Sequence, residues 1–254
     1  MEAAAGSGVA PESGAYDDPR GLGVSPGLHE WFGPSERVNA APPLAVLIDL
    51  AWAAIAAESA ARASHGRVVM WVGRGVWPYP HALVRRSDAG EGQDDRRLLA
   101  GSVFVDASSA ADRTWATEQA LRCAGVCAVV GDGSGLTMGE SRRLHLAAQA
   151  GGVPALLARP GHERAVLSAG QTRWLVTPRA EHDEQAGGEM PDRLAWTVEL
   201  LRCKGLRPVT GGVRRWVVRR HDGTGGTRAW TACDGDLAGE PLARPATPSR
   251  PRVA

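Results

Sequence analysis

Short apolar runs alternate with helix-patterned stretches through the middle of the chain, and this alternation restricts the fold more than any other feature. Arg67-Val-Val-Met-Trp-Val-Gly73, Ser102-Val-Phe-Val-Asp106, Val126-Cys-Ala-Val-Val130, Val153-Pro-Ala-Leu-Leu157 and Thr172-Arg-Trp-Leu-Val176 have the length and apolar content of buried strands. Between them lie helical signals. From Leu44 to about Arg62, the residues Leu44, Leu47, Ile48, Ala51, Trp52 and Ile55 fall on one helix face. Ser109 with Asp112 is an imperfect capping box for a helix closed by Gly125. Thr137 with Glu140 is a full capping box for a helix to about Ala150, ended by Gly151-Gly152. A short helix is expected from His162 to Ser168.

Strand–helix–strand order repeated in this way argues for an α/β fold, a mostly parallel sheet flanked by helices. The continuous apolar strands agree, because parallel strands are buried on both faces. Trp196 to Cys203 and Gly212 to Arg220 read as a closing antiparallel pair, so the sheet is expected to carry an antiparallel C-terminal extension. Residues 1–25 are rich in Gly, Ala, Ser and Pro without periodicity and read as a disordered leader. Residues 222–254 read likewise as a flexible Gly/Pro-rich tail, which leaves one domain over 26–221. Ser87–Arg97 and Ala180–Arg193 are polar and Gly-bearing, as long surface loops are.

Composition excludes several function classes. A net charge of +1 creates no long-range field toward nucleic acid or a membrane, so any basic surface must be local. No signal peptide or membrane-length apolar run is visible, and the cysteines Cys123, Cys127, Cys203 and Cys233 form no C-x-x-C pair. A cytoplasmic protein without a metal site or membrane association is the expectation. Only Lys204 is a lysine among 29 basic residues. That removes Schiff-base chemistry and the lysine of a phosphate-binding loop.

In a sheet of this kind ligands sit beyond the carboxyl ends of the strands, which directs attention to three loops. Gly33-Pro-Ser-Glu-Arg-Val-Asn-Ala-Ala-Pro-Pro43 enters the first long helix but lacks the second glycine, the lysine and the magnesium-binding hydroxyl of a phosphate loop. Pro42 and Pro43 also lack amide donors. Asp132, in Gly-Asp-Gly-Ser, stands where a carboxylate could hold magnesium, although it also suits a plain turn. Asp106, at the next strand end, suits the dipole and cap of the following helix, and Ser108 and Ser109 sit in no nucleophile elbow. Catalytic residues are therefore not expected.

Surface contacts have two sets of candidates. Trp31, Trp77 and Trp230 stand in loop-like contexts and would anchor a partner, whereas Trp71 and Trp174 read as core. The basic segment Arg202, Lys204, Arg207, Arg214, Arg215, Arg219 and Arg220 would contact phosphate or an acidic partner, or be a solvated edge. Alternation places Arg215 and Arg219 on one strand face and Arg214 and Arg220 on the other.

Several stretches resemble a known family. Leu28-His-Glu-Trp-Phe-Gly-Pro34 resembles the strand leading into the phosphate loop of RecA recombinases. Cys-Ala-Gly-Val-Cys-Ala-Val-Val-Gly-Asp132 resembles the RecA segment that ends at the Walker B aspartate. Ala120-Leu-Arg-Cys-Ala-Gly125 and Glu140-Ser-Arg-Arg-Leu-His-Leu-Ala-Ala-Gln-Ala-Gly-Gly152 look like the ImuA branch of that superfamily, distantly related to the cell-division inhibitor SulA, and Trp196-Thr-Val-Glu-Leu-Leu-Arg-Cys-Lys-Gly205 fits it too. The resemblance implies a RecA-like fold over residues 27–221 with a degenerate phosphate loop at Gly33 and Pro34, and Asp132 as the Walker B equivalent. It implies an accessory protein of SOS-induced, error-prone translesion synthesis, without catalysis or cofactor. Its partners would be an ImuB-like Y-family polymerase homologue, RecA and, indirectly, an error-prone C-family polymerase. Direct DNA binding is not inherited, because no RecA DNA-binding loop has a counterpart. Weak nucleotide binding through Asp132 and the amides near Gly33, or SulA-like inhibition of division, are the alternatives.

Overall fold

The structure, a computed structural model, describes residues 23–34, 42–60, 66–85, 94–181, 193–205, 214–219 and 229–232. Its strands in chain order are β1 (Gly27–Phe32), β2 (Val68–Val72), β3 (Ser102–Val105), β4 (Val126–Asp132), β5 (Pro154–Arg159), β6 (Thr172–Glu181), β7 (Arg193–Cys203), β8 (Arg215–Arg219) and β9 (Ala229–Ala232). The helices are α1 (Leu44–Ala60), the single turn α2 (Arg97–Ala100), α3 (Ala110–Leu121) and α4 (Met138–Gly151). One sheet contains every strand, in the order β3-β2-β4-β5-β1-β6-β7-β8-β9. From β3 to β6 each neighbouring pair is parallel; from β6 to β9 each is antiparallel. The expected parallel sheet with an antiparallel extension is the observed one.

Strand alternation divides the core into two layers. Val69 and Trp71 of β2 face α1 and α2, in a cluster with Val46, Leu47, Leu50, Trp52 and Leu98. Met70 and Val72 face α3 and α4, with Leu121, Leu144, Ala147 and Ala148. Both faces of the central parallel strands are thus covered, which is why those strands read as unbroken apolar runs, while the edge strand β3 leaves Val103 and Phe104 exposed. Near the centre of the α1 layer Trp31 of β1 stacks on Trp174 of β6, ring centroids 5.0 Å apart, and Trp174 meets Trp216 of β8 at 5.7 Å.

Helix ends follow their local chemistry. The Thr137 hydroxyl accepts the Glu140 amide while the Glu140 carboxylate accepts the Thr137 amide, completing the capping box. Ser109 caps α3 by accepting the Asp112 amide at 3.0 Å. Gly152 ends α4 with φ 66°, a left-handed position that suits glycine.

Five expectations change. α3 ends at Leu121 with Arg122 as its cap, so Gly125 does not close it and stands instead in the turn before β4. The short helix expected over His162–Ser168 is a 3-10 helix over Gly161–Ala165, after which the chain extends so that Ser168 reaches Glu30. β6 runs past Val176 to Glu181, through Pro178. β1 meets β6 over Thr172 to Leu175, so among the described residues one side of β6 has no strand partner at Pro178, where a missing amide is tolerated. β7 likewise begins at Arg193, inside the stretch read as a loop. Ala229–Ala232 pairs with β8, so the sheet continues beyond residue 221 into the stretch read as tail. The expected leader through residue 22, the centre of the loop at 86–93, the residues 35–41 and 182–192, and Arg207, Arg220 and Cys233 lie outside the described residues.

Candidate functional site

The carboxyl edge of the parallel strands holds the residues expected to form a nucleotide site. β1 ends at Phe32 and continues into Gly33 and Pro34. Asp132 closes β4, and one strand separates the two: Ala158 of β5 is in register with both Trp31 and Asp132. The glycine–proline pair and the aspartate therefore share one edge at neighbouring positions. Pro42 and Pro43 precede α1, and their carbonyls accept the Leu44, Val46 and Leu47 amides, so they start the helix.

Asp132 is occupied. Its Oδ1 accepts the Ser134 amide at 3.0 Å, an Asx turn that shapes Gly133–Gly135. Its Oδ2 lies 3.4 Å from Arg113 Nε. Arg113 rises from α3 and is itself fully committed: Nε donates to the Asp132 carbonyl at 3.2 Å, Nη1 to the Ser108 carbonyl at 2.8 Å and Nη2 to the Ser134 hydroxyl at 3.1 Å. Gly73-Arg74-Gly75 packs over this pair. Gly73 has φ 88°, and a Cβ there would stand 2.7 Å from Arg113 Cδ; a Cβ on Gly75 would stand 3.3 Å from Asp132 Oδ2. The glycines let the loop after β2 close on the arginine–aspartate pair.

Beside the pair opens a cleft of about 540 Å³ lined by Arg74, Gly75, Asp106, Ala107, Ser108, Arg113 and Asp132. It lies between the carboxyl ends of β2 and β4, whose following connections leave on opposite faces of the sheet, the place where α/β sheets bind ligands. Its charges cancel. Arg74 donates through Nε to Asp106 Oδ1 at 2.9 Å and through Nη2 to Oδ2 of the same carboxylate, and Arg113 faces Asp132. The Asp106 partner raises the already high pKa of Arg74. No group of three or more His, Cys, Asp or Glu suited to a metal ion occurs among the described residues.

Lys204 lies at the opposite edge. Cys203 pairs with Thr172, the first residue of β6, so the only lysine of the chain sits at the amino end of the parallel strands, away from Gly33 and Asp132.

Around the middle of β1, on the sheet face toward α4, lies a buried ionic cluster. Glu30, with no exposed surface, bridges Arg159 of β5 and Arg173 of β6, with Arg173 Nε 2.9 Å from Glu30 Oε2. The Ser168 hydroxyl donates to Glu30, and Arg159 also donates to Glu163 (2.9 Å from Nε) and the Leu136 carbonyl. Phe32 lies beneath both guanidiniums, 4.8 Å from Arg173 and 5.8 Å from Arg159. Burial lowers the pKa of Arg173, Glu30 opposes that, and Arg159 and Arg202 add to it. These residues carried a signal in the sequence: Glu30 and Arg173 each put a charge inside an apolar strand, and Arg159 ends another.

The expected surface contacts divide. Trp31 is no loop residue and cannot anchor a partner, because β1 carries it into the core with no exposed area. Trp77 is half-buried, packed against the α1 layer and edge-on to Phe104 at 5.7 Å. Trp230 lies in β9, and its side chain is outside the described residues. Arg215 pairs with Glu199 of β7 at 2.9 Å, and Arg214 and Arg219 are half-buried at either end of β8.

No family model matches the chain, and no curated protein matches it. No helix among the described residues is long and apolar enough to cross a membrane.

Proposed function

We propose that this protein is a RecA-like, ImuA-type accessory factor of DNA-damage-induced error-prone translesion synthesis, acting through protein contacts and not through nucleotide hydrolysis. It would bind an ImuB-like Y-family polymerase homologue and RecA, and reach the C-family polymerase through them. One observation carries the non-catalytic part: the Walker B-equivalent Asp132 is held by Arg113 and Ser134, while the chain's only lysine stands at the far edge of the sheet. A magnesium–nucleotide needs a free carboxylate and a cation over the phosphates at one place. Here the carboxylate is engaged in the turn and the lysine is elsewhere. The RecA-like part is supported by the placement of Gly33-Pro34 and Asp132 on one carboxyl edge with a single strand between them.

The test has two readouts. The tagged protein is expected to co-purify with the ImuB-like protein and RecA after DNA damage, and capture of neither would sink the reading. Calorimetric titration with magnesium–ATP is expected to show no micromolar binding. A micromolar signal lost in Asp132→Ala would favour a nucleotide-binding regulator instead.

A further inference from the structure

We infer that Arg142, Arg202 and Lys204, grouped around the loop Leu167–Gln171 at the amino edge of the sheet, form a docking site for an acidic, leucine-bearing segment of a partner protein. The inference does not rest on the translesion reading, since it concerns a different edge of the molecule and holds whatever pathway the protein serves.

The loop is the hub that brings the three cations together from separate elements. Its Ala169 amide donates to the Ser141 hydroxyl at 2.9 Å, which fixes the position of the neighbouring Arg142 on α4. Its Ser168 and Gly170 carbonyls accept from Arg202 Nη2 at 3.4 and 3.3 Å. Its Gln171 carbonyl accepts the Lys204 amide at 2.8 Å. Arg142 and Lys204 are exposed and Arg202 is half-buried.

Among the described residues none of the three has a carboxylate within ion-pair distance. By contrast, Arg74, Arg143, Arg159 and Arg215 each meet an acid. The nearest buried acid, Glu30, is already shared by Arg159 and Arg173. The cations therefore repel one another. Burial first, and then Arg202 and Arg142, push the Lys204 ammonium pKa down, and His145 is lowered by burial and by Lys204. A corner of unneutralised charge in a chain of net charge +1 is relieved by an anionic partner.

The apolar neighbours decide which anion. Leu167 is 73% exposed and Val166 42%, both beside the Arg202 anchor at Ser168. Exposed aliphatic side chains offer no face on which bases stack, whereas single-stranded nucleic acid sites combine cations with aromatic platforms. The exposed aromatics among the described residues, Tyr79, Phe104 and Trp115, belong to the other end of the sheet and to α3. Leucine beside arginine and lysine instead complements a segment that mixes carboxylates with aliphatic residues, the guanidiniums receiving the carboxylates in paired hydrogen bonds.

The probe is a short fluorescein-labelled peptide of glutamate and leucine, titrated with the full chain and read by anisotropy, with labelled oligothymidylate as the second arm. The peptide is expected to bind, more weakly as salt rises. The double charge reversal Arg142→Glu with Lys204→Glu is expected to weaken it about tenfold or more, and Leu167→Ser severalfold, with thermal unfolding unchanged because these side chains are exposed. Absence of peptide binding, equal affinity in the variants, or tighter binding of oligothymidylate that the same reversals abolish would each overturn the inference. A failed capture of the ImuB-like protein or RecA would leave it standing.

Discussion

His29 has no solvent-exposed surface, and both of its ring nitrogens are engaged. Nε2 lies 2.7 Å from the Ser25 carbonyl, and Nδ1 2.7 Å from the Thr172 hydroxyl. A carbonyl only accepts, so Nε2 carries the proton and Nδ1 accepts from Thr172. Burial lowers its pKa to about 4, against a partial opposing effect of Ser25 and a further lowering by His145. The unfolded chain binds this proton near pH 6.5 and the folded chain only near pH 4. The unfolded state therefore holds more protons between those values, and stability falls as pH drops through that window. From pH 7 to pH 5 His29 is expected to cost about 2 kcal/mol. Urea unfolding of the native chain and of His29→Gln at both pH values checks this, because the difference between them removes what other groups contribute. An identical pH dependence in both proteins would show that His29 titrates normally.

Helix endings show where local sequence chemistry suffices and where it does not. Thr137 with Glu140, Ser109 and the Gly151-Gly152 stop are all visible in the sequence, and each occupies its expected end. The two glycines, however, have different reasons. Gly152 takes the left-handed position, and nothing lies within 4 Å of where its Cβ would be. Gly151 is the last residue of α4, and a Cβ there would come within 1.9 Å of the Leu121 carbonyl oxygen at the end of α3. Helix propensity alone predicts that Gly151→Ala stabilises the protein by about 1 kcal/mol. The contact between α3 and α4 reverses the sign: Gly151→Ala is expected to destabilise by about 2 kcal/mol or more, and Gly152→Ala by about 1 kcal/mol. Denaturant midpoints of the two variants decide, and a more stable Gly151→Ala would mean that the helices can separate at no cost. Propensity reads one helix at a time, whereas this glycine is required by the neighbouring helix.

Across the whole molecule, the parallel part of the sheet was legible because its strands are buried on both faces, which removes polar alternation and leaves apolar runs such as Val126–Val130. The strand order was not, since similar parallel strands carry no label of their neighbours; nothing in β4 or β5 says that they lie between β2 and β1. β1 was expected from resemblance alone, because His29 and Glu30 break its apolar pattern. Of these two, Glu30 belongs to the ionic cluster that was missed. Asp132 was singled out by its place at a strand end, but Arg113, from the first turn of α3, reaches it only through the packing of that helix. The ionic cluster was hidden for a related reason: Glu30, Arg159 and Arg173 are far apart in the chain and meet only through the order β5-β1-β6. Its energetics can be tested at the scale on which it forms. Arg159 has Glu163 as a second carboxylate, whereas Arg173 has the ion pair with Glu30 alone, and its Nε and Nη2 make no hydrogen bond of good geometry. Glu30→Gln therefore leaves an uncompensated buried cation on β6 and is expected to cost about 3–5 kcal/mol. Adding Arg173→Met removes that cation and places an apolar side chain over Phe32, so the double variant is expected to regain a large part of the loss. Urea unfolding of both single variants and the double measures the coupling. Strictly additive losses would mean that Glu30 and Arg173 contribute independently, and the cluster would then be three strands' separate charges with no shared dependence.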